Sequence, residues 1–144
     1  MAVVLVAGFV MSDTTLFSIL ESPTHPDFSA LYRRLGIRQI EFRSMRKVMS
    51  ELKRQRPDIV VAEFFYGYAN NYAGINISNL DVFLFSLQKY APEARVIVLV
   101  EKSEREYVDK LNEIFPLHAV LVQPVQVSQL ERLLEGKDES DEKL

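Results

Sequence analysis

The chain has no cysteine among its 144 residues, which excludes disulfides, thiolate metal sites, thiol nucleophiles and iron–sulfur clusters. It has two histidines, and they stand far apart, without the short ligand spacing that zinc chemistry uses. His25 lies in Pro23-Thr24-His25-Pro26, which reads as a turn, and His118 begins an apolar run as a packing residue. Five glycines leave little material for a phosphate-cradling loop, and neither a Gly-x-Gly-x-x-Gly nor a Walker-type sequence occurs. A Gly-x-Ser-x-Gly nucleophile elbow is also missing. So are long apolar runs. Met1 to Met11 is too short to cross a bilayer as a helix and lacks a basic leader and a small-residue cleavage site. No membrane segment is expected, and the location expected is cytoplasmic.

What is present is the balance of a folded protein, 48% hydrophobic and 26% charged, enough for one domain with its own core. That domain is read as residues 1–136, followed by an acidic, disordered tail over 137–144. The net charge of −3 conceals an asymmetry. Arg33 to Arg56 carries nine bases against Glu41 and Glu51. Such a stretch meets phosphates or an acidic partner in some proteins, but it fits the solvated face of an amphipathic helix. Nucleic-acid binding is not expected, because no reader motif accompanies it and the chain is acidic overall.

Apolar runs alternate with helical patterns. Strands are predicted at Val3–Val6, Ile37–Phe42, Ile59–Ala62, Arg95–Val100 and His118–Val122. Ser12 and Asp13 are predicted to cap a helix over Thr14–Leu20, and Asp27 to open a second that Gly36 closes. Ser44 caps a third, with Met45, Val48, Met49 and Leu52 as its apolar stripe. Ser78 with Asp81, Ser103 with Glu106 and Ser128 with Glu131 form capping boxes for three more. In the helix after Ser78, Leu80, Phe83, Leu84 and Leu87 face one way, while Val82 and Phe85 lack a place on that stripe. The expected fold is α/β: a doubly wound, five-stranded parallel sheet of flavodoxin-like type, strand order 2-1-3-4-5, with functional loops at the strands' carboxyl ends.

Three of those strand ends carry a family resemblance. Pro57-Asp58-Ile59-Val60-Val61-Ala62-Glu63, Val96-Ile97-Val98-Leu99-Val100 and Val120-Leu121-Val122-Gln123-Pro124-Val125 resemble the receiver domains of bacterial response regulators in order and spacing. The match requires an insertion of about ten residues before Gly36 and several more between Glu63 and Ser78. The resemblance implies an acidic pair that holds Mg²⁺, a phospho-accepting Asp, a hydroxyl switch, an aromatic switch and a lysine. The corresponding residues here are Gly8 and Phe9, Glu63, Val100, Val120 and Gln123. Every chemically active position is replaced. Phosphoryl transfer needs a metal and cations to neutralise the transferring group, and a lone Glu63 in that company supplies neither. Its carboxylate is expected to bond Gln123 or a backbone amide. Asp13 with Glu63 is the one acid pairing considered for a metal, and no metal or cofactor is expected.

The reading that follows is a degenerate receiver, a pseudo-receiver: no enzyme, but a phosphorylation-independent protein-interaction module. Its partner is a protein of unknown identity, with a homodimer among the expectations. Two faces are candidates. One is the aromatic loop Tyr66, Tyr68, Asn70, Asn71 and Tyr72 with the over-apolar helix behind it; the other is the later surface bearing Lys102, Arg105, Asp109 and Lys110. The rival is a nucleotide- or flavin-binding sensor or minor enzyme, its pocket bounded by Gly8, Glu63, Asn70 and Asn71.

Overall fold

The computed structural model describes residues 14–23, 26–67 and 78–135, together with the backbone of two short strands, Leu5–Val6 and Phe9–Val10. Five parallel strands form one sheet: β1 (Thr15–Ile19), β2 (Arg38–Phe42), β3 (Ile59–Glu63), β4 (Arg95–Val100) and β5 (Ala119–Val122). Their spatial order is β2-β1-β3-β4-β5, the doubly wound arrangement expected from the alternating pattern. The helices are α1 (Ser29–Arg34), α2 (Met45–Leu52), α3 (Asp81–Tyr90), α4 (Arg105–Val108) and α5 (Val127–Leu134).

The first strand is a correction. Thr15–Ile19 is the strand that pairs with both β2 and β3, where capping signals predicted a helix over Thr14–Leu20. Leu5–Val6 instead pairs antiparallel with Phe9–Val10 in a separate two-stranded ribbon. The physical reason lies in Thr15-Leu16-Phe17-Ser18-Ile19. Every one of these residues is buried, and a strand between two others has both faces covered, so it reads as a continuous run without helical periodicity. Ser18, small and 1% exposed, is the polar exception.

Strand periodicity divides the core into two layers. Phe17, Ile19, Val60, Ala62, Val96, Val98 and Val100 face α2, α3 and α4, meeting Val48, Leu52, Leu84 and Val108. Leu16, Ile59, Val61, Ile97 and Leu99 face α1 and α5, meeting Leu31, Tyr32, Leu130 and Leu133. Ser44 caps α2 as expected, its hydroxyl accepting from Lys47 N at 3.2 Å. Gly36, at φ 73°, closes α1 in the left-handed region that a side chain disfavours.

Two capping expectations fail. The Ser103–Glu106 box does not form: a 3₁₀ turn over Lys102–Glu104 leads into the single turn of α4, and a second 3₁₀ segment over Asp109–Glu113 follows. In α5 the reciprocal box is made by Gln126 and Gln129, ahead of the expected Ser128–Glu131 pair.

Phe17 is fully buried and packs edge-on against Phe42 at 5.0 Å. Replacing Phe17 by Ala is expected to cost about 3–5 kcal/mol of unfolding free energy, read from urea denaturation. A loss below about 1 kcal/mol contradicts the central place given to β1.

Candidate functional site

The register of the sheet aligns the carboxyl ends of its strands. Ile19 lies beside Ala62, Glu63 beside Leu99, and Val100 beside Val122. The chain leaving β1 therefore passes next to Glu63, the last residue of β3. Glu63 falls on the same face as Ile59 and Val61 and is 2% exposed. A carboxylate so buried needs donors from the protein itself. Its Oε1 accepts from the backbone N–H groups of Glu21 and Ser22, at 2.8 and 2.7 Å. These are short, charge-assisted bonds, about twice as strong as neutral ones. The expectation that Glu63 would bond a backbone amide is met.

The correction to β1 moves the acidic-pair position with it. The residues that follow β1 are Leu20, Glu21 and Ser22, so the places expected for Gly8 and Phe9 belong to these. Phe9 instead pairs with Val6 in the ribbon, and Gly8 lies outside the described residues. Glu21, missed from the sequence, brings a second carboxylate close to Glu63. Burial pushes its carboxyl above the ordinary value, the neighbouring Glu63 adds to this, and a hydrogen bond with the Asn79 side chain opposes it. Reading Thr15–Ile19 as the buried strand is the signal that would have found Glu21.

Asn79 was also missed. It is 8% exposed and staples the chain that leaves β3. Its amide Nδ2 donates to Glu63 O at 3.0 Å, and its Oδ1 accepts from Phe65 N at 2.7 Å. Asp81, 3% exposed, accepts from Ser78 N and Ser78 Oγ at 2.7 and 2.9 Å, so one half of the expected Ser78–Asp81 box is present.

Val100 ends β4 fully buried, and Gln123 follows β5, its N–H donating to Val100 O at 2.9 Å. The Gln123–Pro124 peptide is cis. Glu63, Val100 and Gln123 thus occupy the ends of three adjacent strands. Val120 sits inside β5, half-buried against the core layer that α4 covers.

A receiver holds Mg²⁺ at this edge with several carboxylates. The donors here do not fit that task. Only two carboxylates of the described residues, Glu21 and Glu63, come together here, one Glu63 oxygen is engaged by two N–H groups, and Mg²⁺ demands a near-octahedral set of oxygens. Among the described residues, no group of three or more His, Asp or Glu side chains could hold a metal ion. Asp13 lies outside them.

Of the aromatic loop, Tyr66 is described, and Tyr68, Asn70, Asn71 and Tyr72 lie outside the described residues. Tyr66 stacks on Tyr107 of α4, ring centroids 3.7 Å apart and planes 13° from parallel, and its N–H donates to Glu104 Oε1 at 3.0 Å. It remains 48% exposed, so it both folds back and faces solvent. Lys102, Asp109 and Lys110 are exposed, and Arg105 pairs with Asp109 at 3.2 Å. Such a surface pair contributes about 0–1 kcal/mol. The rival pocket beside Gly8, Asn70 and Asn71 falls mostly on residues outside the description. A cleft of about 390 Å³ opens at the opposite, amino edge of the sheet, lined by Arg56, Pro57, Asp58, Pro92 and Glu93 among others.

Glu63→Ala removes the acceptor of two buried N–H groups and is expected to cost about 1–3 kcal/mol, with Glu63→Gln losing less because a carbonyl oxygen remains. Equal stability of wild type and Glu63→Ala in urea contradicts the assigned bonds. For Glu21 the raised folded-state value means that the native chain holds its proton where the unfolded chain has released it. Stability therefore falls as pH rises from 4.5 through the raised value. Glu21→Gln is expected to flatten that fall and to melt higher than wild type at neutral pH; an unchanged pH profile contradicts the pairing.

No model of a known protein family matches the chain, and no curated protein does. Solved structures do. A response regulator from Thermotoga maritima matches at TM-score 0.61 and 15% identity, covering 85% of this chain and 94% of its own. A CheY-like receiver domain protein from Methanospirillum hungatei JF-1 matches at 0.63 and 11%, covering 92% and 98%. An uncharacterized protein from Neptuniibacter caesariensis matches at 0.70 and 17%, covering 87% of each chain. The fold of this chain is that of the CheY-like receivers.

Proposed function

We propose that this chain is a phosphorylation-independent pseudo-receiver, a protein-interaction module of bacterial signalling or regulation that carries out no catalysis. The observation that carries this reading is the buried Glu63 carboxylate, already bonded to Glu21 N and Ser22 N. An acceptor of phosphoryl groups must present a free carboxylate oxygen to the donor, with a metal and a cation to absorb the charge that develops. Val100 offers no hydroxyl and Gln123 no ammonium at the ends of the neighbouring strands. The receiver fold supports a signalling role, and contact with other proteins is the output left to a receiver frame without that chemistry. Partner identity and self-association belong to the same proposal. The helical surface with Lys102, Arg105, Asp109 and Lys110 and the edge around Tyr66 and Tyr107 are the regions through which the notion of a homodimer is best examined.

Incubation with acetyl phosphate and Mg²⁺ followed by intact-mass measurement tests the reading. The mass is expected to stay that of the unmodified chain. Gain of one phosphoryl group, lost in Glu63→Gln or Glu21→Gln, overturns it.

A further inference from the structure

The chain has neither cysteine nor tryptophan, the side chains that share with tyrosine the readiest loss of a single electron. Its six tyrosines carry that chemistry alone. Four of them are described, and their settings differ. Tyr32 is buried in the core, away from any dissolved oxidant. Tyr90 has the Lys89 ammonium over its ring at 5.3 Å, and a cation there opposes the positive charge that electron loss creates. Tyr66 and Tyr107 have the opposite setting.

Their rings stack with centroids 3.7 Å apart and planes 13° from parallel, so carbons of one ring face carbons of the other at van der Waals contact. Backbone bonds hold the stack in place. Tyr66 N–H donates to Glu104 Oε1 at 3.0 Å, and Tyr66 pairs with Ser78 in an isolated antiparallel bridge. The preceding Phe65 N–H is fastened to Asn79 Oδ1 at 2.7 Å. Two rings fixed in this way form a near-attack pair. The charged groups that act on the Tyr107 hydroxyl are carboxylates: Glu106 foremost, with Glu104 adding to it, raises that hydroxyl above its ordinary value. These acids favour positive charge on the pair, and Glu106 is placed to receive the Tyr107 proton. Tyr66, 48% exposed, is open to a reagent in solution.

We infer that Tyr66 and Tyr107 are a dityrosine site: two equivalents of a diffusible one-electron oxidant join them by a carbon–carbon bond between the ring positions ortho to the hydroxyls. Each ring gives one electron to the oxidant and loses its hydroxyl proton, Tyr107 to Glu106 and Tyr66 to water. The two phenoxyl radicals then couple. The hydrogen on each newly bonded ring carbon moves to the adjacent oxygen and restores both phenols. The product is lighter by two hydrogen atoms. It replaces the stack with a covalent tie from the chain leaving β3, three residues beyond Glu63, to α4. The tie closes a loop that contains α3 and β4 and so constrains the unfolded chain.

The test uses the full chain, dilute, with ruthenium(II) tris-bipyridine and persulfate under visible light as the one-electron oxidant. The expected product is a monomer lighter by two hydrogen atoms, with the blue fluorescence of dityrosine and a peptide map that joins Tyr66 to Tyr107. Tyr66→Phe and Tyr107→Phe, each checked for unchanged melting, are expected to lose that product, and Tyr90→Phe to keep it. In denaturing urea, where the rings are no longer held together, its yield is expected to fall about tenfold. Dityrosine that joins two chains, links Tyr66 mainly to Tyr68 or Tyr72, persists in both Phe variants or forms as readily in urea overturns the inference. So does its absence under conditions that couple N-acetyltyrosine amide. None of these outcomes bears on the acetyl phosphate experiment, which reads phosphoryl gain on a carboxylate.

Discussion

The Glu63 carboxylate, out of water at the tip of the third strand, has to be satisfied from within, and two backbone N–H groups do it. Those groups belong to the chain leaving β1, so the bonds tie the first strand's exit to the third strand's end. Asn79 extends the tie by fastening Glu63 O and Phe65 N to the start of α3. The Glu63 side chain serves here as a joint. Freeing the Glu63 oxygen that accepts from Glu21 N and Ser22 N would first require that loop to be released.

The same joint sets what the molecule can present to others. Asn79 holds the start of α3 to the β3 exit, and the surplus apolar residues of that helix, Val82 and Phe85, face outward. On the other side of β3's exit, Tyr66 reaches α4 through its stack on Tyr107 and its bond to Glu104. The Glu106 carboxylate beside Tyr107 pushes that hydroxyl above its ordinary value. The chemical edge and the helical surfaces are parts of one bonded assembly.

How much of this the sequence made legible varied with the kind of signal. Ile59–Glu63 and Arg95–Val100 are apolar on both faces and bounded by Pro57-Asp58 and Pro92, so strand was the economical reading. The parallel sheet followed from alternation with helices, whereas the order 2-1-3-4-5 was a choice among doubly wound arrangements that the structure bears out. Thr15–Ile19 has the same apolar continuity, but Ser12, Asp13 and two threonines imitate a helix start, and the still more apolar Met1 to Met11 competed for the role of first strand. Local capping chemistry lost to burial between two neighbouring strands. That single shift concealed Glu21, and with it half of the site. Asn79 was hidden for a different reason: an asparagine beside a serine signals a turn, and its bonds to Glu63 and Phe65 exist only once the loop has closed. That Val82 and Phe85 lie off the core stripe of α3 was legible from helical periodicity, but a second buried face was as open as an exposed one, and it is the structure that exposes them.

The most direct measurement of the central claim is amide hydrogen exchange at Glu21 and Ser22, followed by NMR, before and after addition of acetyl phosphate and Mg²⁺. Both amides are expected to be protected as strongly as their neighbours in β1, and to keep that protection and their chemical shifts when the phosphodonor and the metal are added. Fast exchange at either position, or shifts that move with Mg²⁺ and phosphodonor, would mean that the Glu63 carboxylate is free to react.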